Sequence, residues 1–211
     1  MAILEFSNLK YTYSGDDCVL CGISGSLEQG HLYAILGPSG CGKTTLLSIL
    51  GGLDVPNSGK VYFNGQDITS IGLSDYRKNH VAFIFQAYNL IDYMTPLENV
   101  SLTSRVSPVP TLERLGLTKE ELKRNVLKLS GGQQQRVAIA RALASDTPII
   151  LADEPTGNLD EDTAQDIMEI LKECAHQMGK CVIVVTHSNQ LSKQADEVLR
   201  LKKGTLTADY F

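Results

Sequence analysis

The fold of this chain is decided by the stretch Gly37-Pro38-Ser39-Gly40-Cys41-Gly42-Lys43-Thr44-Thr45. It lies between an apolar run at 32–36, typical of a strand, and a run at 44–50, typical of a helix. Glycines at this spacing let consecutive backbone N–H groups turn inward and cradle phosphate oxygens, and the following helix adds its positive N-terminal end. An ordinary glycine-rich turn is the alternative, but the strand before and the helix after favour a phosphate-binding loop.

Two side chains at the end of this loop suit a phosphate ligand that carries a metal ion. Lys43 would reach the β- and γ-phosphates as a point charge. The Thr44 hydroxyl would be a ligand of the Mg²⁺ that bridges these phosphates. The loop therefore predicts a nucleotide with Mg²⁺.

Length and charge are typical of one α/β domain. A chain of 211 residues can bury a substantial core without cross-links. Its net charge of −5 argues against a broad nucleic-acid surface, which needs clustered Lys and Arg. No apolar stretch approaches the roughly 18 to 20 residues that span a bilayer, and the first residues lack the layout of a signal peptide. We therefore expect a cytoplasmic protein.

The 5 cysteines have no framework spacing, and their odd number suits reduced thiols in a reducing compartment. Cys18 and Cys21 form a C-x-x-C pair, which can bind a metal or perform redox chemistry. No second pair follows, and the flanking residues resemble a strand, so we favour reduced thiols here too.

The hydrophobic pattern predicts antiparallel strands first and buried parallel strands later. Alternation at 3–13 and 17–27, with a turn at Ser14–Asp17, predicts an N-terminal antiparallel sheet. The strand at 31–36 leads into the loop, and the helix after it should end at Gly51. Continuous apolar runs predict strands buried on both faces, namely Val81–Phe85, Ile149–Ala152 and Cys181–Val185. Shorter strands are expected at 60–63, before a turn at 64–65, and on both sides of a turn at 203–204.

Helices are expected between these strands. Residues 87–129 predict a small helical insert, broken at its prolines, in which Thr118–Glu121 forms a capping box that opens a helix to about Lys128. The breaking prolines are Pro96, Pro108 and Pro110. A second helix follows Ser130 and stops before Pro148. A long helix at 161–178 should end at Gly179 and bury the face formed by Ala164, Ile167, Leu171, Cys174 and Met178.

Polar side chains follow the three buried strands. Because parallel strands bring their carboxyl ends to one edge, Gln86, Asp153-Glu154 and His187 should meet beside the phosphate loop. Asp153 would hold Mg²⁺ directly or through water. Glu154 would act as a general base on the attacking water. Taken singly, the adjacent acids could form a solvated turn, and the glutamine and histidine could be ordinary strand-end residues.

Together these motifs resemble the ATP-binding subunit of ABC transporters over essentially the whole chain. The matching motifs are Walker A at Gly37–Thr45, the Q-loop at Gln86, the signature at Leu129–Arg136, Walker B at Ile149–Glu154, the D-loop at Gly157–Asp160 and the switch histidine His187. The resemblance implies an α/β fold: a P-loop NTPase (RecA-like) core with an N-terminal antiparallel β subdomain and a shortened helical subdomain insert. It divides the domain 1–211 into a core of 1–86 and 130–211 and a helical subdomain of 87–129.

The resemblance also implies ATP and Mg²⁺ as cofactors and a role for each site residue. The implied catalytic residues are Glu154, His187, Gln86 and Lys43, and the implied metal ligands are Thr44, Gln86 and Asp153. The implied nucleotide-binding residues are those of the loop together with Tyr13, Ser130, Gly131, Gly132, Gln133 and Asp160. In the family, the signature acts on the γ-phosphate held by the other subunit, at a helix start suited to anions. A homodimer is therefore implied.

Two of these assignments have alternatives. Tyr13 resembles the aromatic residue that stacks on adenine, but it could instead be a core tyrosine of the N-terminal sheet, with Tyr11 as the alternate candidate. Asp160 resembles the residue that carries nucleotide state across the dimer, and it could also be the N-cap of the helix at 161–178.

A finer resemblance points to the macrolide-exporter and lipoprotein-releasing type. It is based on Leu50–Asp54, Phe85–Leu90 and Leu97–Val100. This type implies an ATPase at the inner face of the cell membrane that drives a permease with a large extracytoplasmic domain and touches the membrane only through it. The cargo would be a drug, an antimicrobial peptide or a lipoprotein. The chain departs from the pattern between Val100 and Leu129, where Ser107–Pro110 replaces a helix.

Two other functions compete with transport. One is an ATP-driven regulator of a membrane protein that controls cell-wall enzymes without moving a solute. The other is an ABC ATPase acting on DNA or ribosomes, but such proteins carry long coiled coils or two ATPase units, and this sequence has neither.

Overall fold

A computed structural model describes residues 2–13, 18–104 and 106–209. The strands are β1 (Ala2–Thr12), β2 (Cys18–Glu28), β3 (Leu32–Leu36), β4 (Ser58–Phe63), β5 (Gln66–Asp67), β6 (Val81–Ile84), β7 (Ile149–Asp153), β8 (Cys181–Thr186), β9 (Glu197–Lys202) and β10 (Thr205–Asp209). The helices are α1 (Lys43–Leu50), α2 (Ile68–Ile71), α3 (Leu73–His80), α4 (Pro96–Ser101), α5 (Val109–Arg114), α6 (Gly131–Ala144), α7 (Glu161–His176) and α8 (Asn189–Ser192). The turn predicted at Ser14–Asp17 lies outside the described residues.

The core is a 6-stranded sheet in the order β10-β9-β3-β8-β7-β6. β3 is parallel to both of its neighbours, and β7 is parallel to β8 and β6. Every residue of β3 and β8 is buried. Because both faces of a parallel sheet are covered, such strands are apolar throughout rather than alternating. The predicted buried strands are confirmed for β7 and β8.

Two hydrophobic cores lie on opposite faces of this sheet. Tyr33 and Ile35 of β3 pack with α1 and the N-terminal strands. Leu32 of the same strand packs instead with α4, α6 and α7. The alternation follows from the period of 2 along a strand. It fixes α1 on one face and the signature helix α6 on the other.

The N-terminal part forms a separate 4-stranded sheet in the order β2-β1-β4-β5. β1 pairs antiparallel with β2 and with β4. β9 and β10 form an antiparallel hairpin at one edge of the core sheet. The predicted α/β core with an N-terminal antiparallel sheet is therefore confirmed.

The segment 87–129 differs from its prediction. Pro96 does not break the chain but is the first residue of α4, where its missing N–H has no helical partner to lose. Thr95 and Glu98 form a capping box before it. α5 begins at Val109, directly after Pro108, with Pro110 in its first turn.

The helix predicted from Thr118 to Lys128 is wrong. The predicted capping contacts do form, since the Glu121 carboxylate accepts a hydrogen bond from the Thr118 N–H at 2.7 Å. They open only a 3-10 turn at Glu121–Lys123, and a second 3-10 turn follows at Val126–Lys128. Between them, Arg124 is extended with ψ 154°. The Asn125 side chain caps the second turn, which stops a continuous helix.

Two burial predictions are also wrong. β6 ends at Ile84 and is the edge strand, so Phe83 and Phe85 are only half-buried and stack with their ring centroids 5.4 Å apart. Met178 lies beyond the end of α7 and is 41% exposed. The other residues predicted on that helix face are buried.

The cysteines depart from the expectation of reduced thiols at one place. The structure joins Cys18 and Cys21 by a disulfide, with their α-carbons 5.7 Å apart on β2. Cys41 is half-buried, and Cys174 and Cys181 are buried free thiols. Desolvation raises the pKa of Cys174 to about 11 and that of Cys181 to about 12, so both stay protonated.

None of the helices in the described part of the chain combines the length and the apolar character that a bilayer span requires.

Within α6, Gln135 is fully buried, and neither atom of its amide has a hydrogen-bond partner among the described residues. A buried, unpaired polar group costs roughly 1–3 kcal/mol. Gln135→Met keeps the length of the side chain without its polar atoms. We expect this variant to raise the free energy of unfolding by about 1 kcal/mol, measured by urea denaturation.

The neighbouring Gln134 is the matched control, because its amide nitrogen donates to the Leu129 carbonyl at 3.0 Å. Gln134→Met removes a satisfied hydrogen bond and should lower the free energy of unfolding. Destabilisation by both variants would contradict the interpretation of Gln135.

Candidate nucleotide-binding site

The loop at 37–42 joins β3 to α1 at the carboxyl edge of the core sheet. Gly40 and Gly42 adopt the left-handed conformation, with φ 77° and 101°. A β-carbon at Gly42 would lie 2.9 Å from Val19 Cγ1, so only glycine fits against β2. The Gly37 N–H donates to the Thr186 carbonyl at 3.4 Å, which ties the start of the loop to the end of β8.

Lys43 is buried at the first position of α1, with 7% exposure. Its ammonium donates to the Gly37 carbonyl at 2.9 Å and to the Pro38 carbonyl at 3.2 Å. Glu154 Oε1 lies 3.6 Å from the same nitrogen. The positive charge is thus held inside the loop, where an anionic ligand could reach it.

The two acids at the end of β7 have different partners. Asp153 Oδ1 accepts a hydrogen bond from the Thr44 hydroxyl at 3.2 Å. Desolvation raises the pKa of Asp153, although the Thr44 hydrogen bond opposes this shift. Glu154 Oε2 lies 3.1 Å from His187 Nδ1. Asp153 therefore faces the start of α1, whereas Glu154 lies between Lys43 and His187.

Glu154 has a left-handed backbone with φ 44°, which costs a non-glycine residue on the order of 1 kcal/mol or more. Its N–H donates to the Val185 carbonyl at 3.0 Å, which holds the strained residue against β8. Strain of this kind persists only where the surroundings enforce it. In this conformation the Glu154 carboxylate lies beside His187.

Gln86 follows the edge strand and is exposed. Its amide nitrogen lies 3.3 Å from the position that a β-carbon on Gly157 would take, so it sits beside the start of the predicted D-loop. The ends of β7 and β8 thus converge at the loop, where Asp153 contacts Thr44 and Glu154 contacts Lys43 and His187. Among the described residues, no hydrogen bond or ion pair joins the Gln86 side chain to this group, and it lies beside Gly157 instead.

The signature residues form the start of α6. The Ser130 hydroxyl accepts a hydrogen bond from the Gln133 N–H at 3.3 Å, and Gln133 Oε1 accepts from the Ser130 N–H at 2.9 Å. A β-carbon on Gly132 would lie 2.9 Å from Thr163 Cγ2 of α7. Within the described residues, no hydrogen bond or ion pair joins 130–133 to the loop at 37–45.

Asp160 is the N-cap of α7, which confirms one of the two interpretations that the sequence allowed for this residue. Its carboxylate accepts hydrogen bonds from the Thr163 N–H at 3.0 Å and the Thr163 hydroxyl at 2.8 Å. These contacts lower the pKa of Asp160. Sequence reasoning missed Thr163, which contacts both Asp160 and Gly132; its place three residues after an N-cap was the available signal.

The two candidate tyrosines differ in how they are held. Tyr13 is 68% exposed, and its hydroxyl lies 2.7 Å from Thr45 Oγ1. The Tyr11 hydroxyl donates to Asp54 at 2.6 Å, and this bond raises the pKa of Tyr11 to about 12. Their rings meet edge to face at 5.1 Å. Tyr13 therefore has a largely exposed ring beside the loop, whereas the Tyr11 hydroxyl is hydrogen-bonded to Asp54.

Residues 20–157 match the model of a protein family described as ABC transporter. The chain belongs to the ABC transporter family. It is 42% identical to YclH of Bacillus subtilis (strain 168), an uncharacterized ABC transporter ATP-binding protein, over 98% of this chain and 96% of that one. It is 41% identical to the macrolide export ATP-binding/permease protein MacB of Vibrio parahaemolyticus, over 93% of this chain and 32% of MacB. The chain thus spans about a third of MacB.

Solved structures of this ABC family agree. The bacterial ABC transporter cassette MJ0796, solved as a dimer, has a TM-score of 0.87 and 35% identity, covering 99% of this chain and all of that one. A second dimeric structure of MJ0796, a post-hydrolysis state bound to ADP and Pi, has a TM-score of 0.87 and 34% identity, covering 98% and 97%. The predictions of the ABC family, its P-loop fold and an ATPase are confirmed.

Asp153 offers a test of the electrostatics of this ABC site. Because its pKa is raised in the folded chain, ionisation destabilises the fold: the penalty is absent below the unfolded pKa and complete above the folded one. Asp153→Asn keeps an acceptor for Thr44 but cannot ionise. In protein without nucleotide, we expect it to raise the Tm at pH 7 and to lose this advantage as the pH falls toward 4.

The control is Asp162→Asn, which removes an exposed carboxylate from the first turn of α7. A charge there interacts favourably with the helix dipole, so this variant should lower the Tm slightly at pH 7. A Tm for Asp153→Asn at or below that of the unmodified chain at pH 7 would contradict the raised pKa.

Proposed function

We propose that this chain is the ATP-binding and ATP-hydrolysing subunit of an export-type ABC transporter, and that two copies clasp two ATP·Mg²⁺ between them. The observation that carries the proposal is the pair of contacts at the end of β7. Asp153 is joined to Thr44, and Glu154 is joined to Lys43 and His187. This arrangement separates a place for the metal from a place for the attacking water.

The residues fit Mg²⁺. The Thr44 hydroxyl and the Asp153 carboxylate are hard oxygen donors within 3.2 Å of each other. Mg²⁺ takes few protein ligands and completes its octahedron with water and phosphate oxygens, so two such donors suffice. We propose Gln86 as a further ligand. When bound, the ion would neutralise charge on the β- and γ-phosphates.

We propose that Glu154 accepts a proton from the attacking water. The contact of its carboxylate with His187 would hold the orientation of the carboxylate, and Lys43 would stabilise negative charge on the transferred phosphate. The carbonyls that now hold the Lys43 ammonium are part of the loop, so a phosphate could take over as its partner without movement of α1. The N–H groups of the loop would cradle the phosphates.

The dimer is proposed because one chain does not complete a site. The residues at the start of α6, Ser130–Gln133, make no hydrogen bond with the loop of their own chain within the described residues. A helix start of this kind binds anions well, and we propose that it meets the γ-phosphate held by the partner copy. Asp160, fixed as a helix cap beside Thr163 and Gly132, would lie at the same contact. The dimeric structures of MJ0796 support this arrangement.

We propose that Tyr13, rather than Tyr11, stacks on adenine. Its ring is largely exposed and its hydroxyl is anchored on Thr45 next to the loop. A flat exposed ring provides a stacking surface of the kind that bases use. The Tyr11 hydroxyl donates a hydrogen bond to Asp54 instead.

We further propose 87–129 as a helical subdomain set against a core of 1–86 and 130–211. A cavity of about 710 Å³ lies beside it, bordered by residues that include Arg77, Lys78, Phe83, Phe85, Leu102 and Arg141. Aromatic rings together with cations fit a segment with apolar and acidic side chains. We propose that a permease with an extracytoplasmic domain docks here. The subunit would then work at the cytoplasmic face of the membrane. We also propose that it contacts no nucleic acid.

Glu154→Gln tests the proposed chemistry. We expect phosphate release to fall at least a hundredfold, as when a general base is lost, while ATP and Mg²⁺ convert the variant to a stable dimer. The measurements are steady-state phosphate release and size-exclusion chromatography with light scattering. Glu169→Gln is the control, because that carboxylate is exposed on α7; it should leave both results unchanged. Undiminished turnover in Glu154→Gln would rule out the assigned base.

The export proposal rests on the likeness to MacB, and the competing function is ATP-driven regulation without transport. The subunit should be purified with the permease from its native membrane and placed in proteoliposomes. We expect ATP to drive loss of a drug, antimicrobial peptide or lipoprotein from the bilayer or across it, and Glu154→Gln complexes to move none. Hydrolysis by the intact complex with no movement of any of these would favour the regulator.

A further inference from the structure

The turn that carries Gln86 is held by a side chain from another part of the fold. Arg141 of α6 donates from one guanidinium nitrogen to the Tyr88 carbonyl at 2.9 Å and from another to the Asn89 carbonyl. Arg141 is half-buried, and its carbonyl accepts from the Thr103 hydroxyl at 2.9 Å. Arginine suits this position because its planar fork can donate to two acceptors at once.

The backbone at this turn is strained. Tyr88 and Asn89 are consecutive left-handed residues, with φ 59° and 49°. Asparagine tolerates this conformation, but for tyrosine it is strained, and it persists only where neighbouring groups enforce it. The Tyr88 N–H donates to the Phe85 carbonyl at 3.1 Å, so the turn closes around Gln86 itself. The two bonds from Arg141 are tertiary contacts that hold it in place.

A second contact joins the same turn to the start of α6. A β-carbon on Gly131 would lie 3.1 Å from the Tyr88 hydroxyl oxygen. The Tyr88 hydroxyl thus lies beside the first residue of the helix, and the Tyr88 carbonyl accepts a hydrogen bond from Arg141. The turn is therefore bonded to α6 at Arg141 and lies against its first residue, nearly three helical turns away.

We infer that Arg141 is a positioning residue that makes Gln86 and the signature helix move as one body; this rests on the proposed function. Gln86 would serve the ATP of its own chain, and Ser130–Gln133 would serve that of the partner. The two hydrogen bonds from Arg141, here called the Arg141 clamp, would therefore bring Gln86 and Ser130–Gln133 into place in a single step of dimer closure. Arg141 and Asn89 also border the proposed permease cavity, so an occupant would contact the clamp directly.

The test is a double-mutant cycle in the Glu154→Gln background, where dimer formation needs no turnover. The quantity measured is the ATP concentration, at fixed Mg²⁺, that gives half-maximal dimer by light scattering. We expect Arg141→Ala to raise it about tenfold, which corresponds to about 1.4 kcal/mol. Arg141→Lys should recover part of the loss, since lysine can donate to one carbonyl but lacks the fork.

The decisive comparison adds Gln86→Ala. If Arg141 acts through Gln86, the ATP concentration that gives half-maximal dimer should be no higher for the double variant than for the more impaired of the two single variants. Arg136→Ala is the matched control, because this arginine of the same helix pairs with Asp166 and the Leu115 carbonyl rather than with the turn. Any fold increase that Arg136→Ala causes in the half-maximal ATP concentration should multiply with the increase caused by Gln86→Ala.

The outcomes separate the two ideas. The clamp would be overturned if the fold increases in half-maximal ATP concentration of Arg141→Ala and Gln86→Ala multiply in the double variant. It would also be overturned if Arg141→Ala leaves that ATP concentration unchanged. Either result would leave the ATPase assignment intact. If Arg141→Ala fails to fold, the same cycle is run with Arg141→Lys, for which the same two results decide. Failure of Glu154→Gln alone to dimerise with ATP would instead overturn the proposed function, and the clamp with it.

Discussion

The site depends on how the chain neutralises one buried charge. The Lys43 ammonium is nearly inaccessible to water, and an unpaired charge there would be far costlier than any single contact in the fold. Its partners come from the loop that precedes it and from Glu154 at the end of another strand. These partners meet because the carboxyl ends of β3 and β7 lie on the same side of the sheet, with β8 between the two strands. The placement of Glu154 beside His187 follows from the same geometry.

The parts of the fold that a sequence can predict are those governed by local rules. The glycine pattern at 37–42, the apolar runs of β7 and β8 and the polar residues that end them all need only their own neighbours. Asp160 as a helix cap is of the same kind. These elements were predicted correctly because hydrophobic period, capping and strand-end position agree with one another at each place.

The parts that could not be predicted depend on contacts distant in sequence. The capping box at Thr118 forms as expected, yet a cap fixes only where a helix can begin, and Arg124 ends it after one turn. Tyr88 is held by Arg141, 53 residues away. The one available signal was a charged side chain between Ala140 and Ala142, in the otherwise apolar second half of α6, and it did not reveal which carbonyls Arg141 would meet.

Several unfavourable features of this molecule lie on α6 and at the ends of β6 and β7. Asp153 is desolvated, Glu154 and Tyr88 have strained backbones, and the Gln135 amide is buried without a partner among the described residues. Packing in the cores on both faces of the sheet keeps these residues in conformations that they would not keep in an isolated peptide. Each lies on an element that a nucleotide, a partner copy or a permease would touch. A ligand can shift a conformational equilibrium only by as much as it prefers one state, and relief of such costs is one source of that preference. In the proposed dimer, relief of the strain at Glu154 and Tyr88 would be one such source.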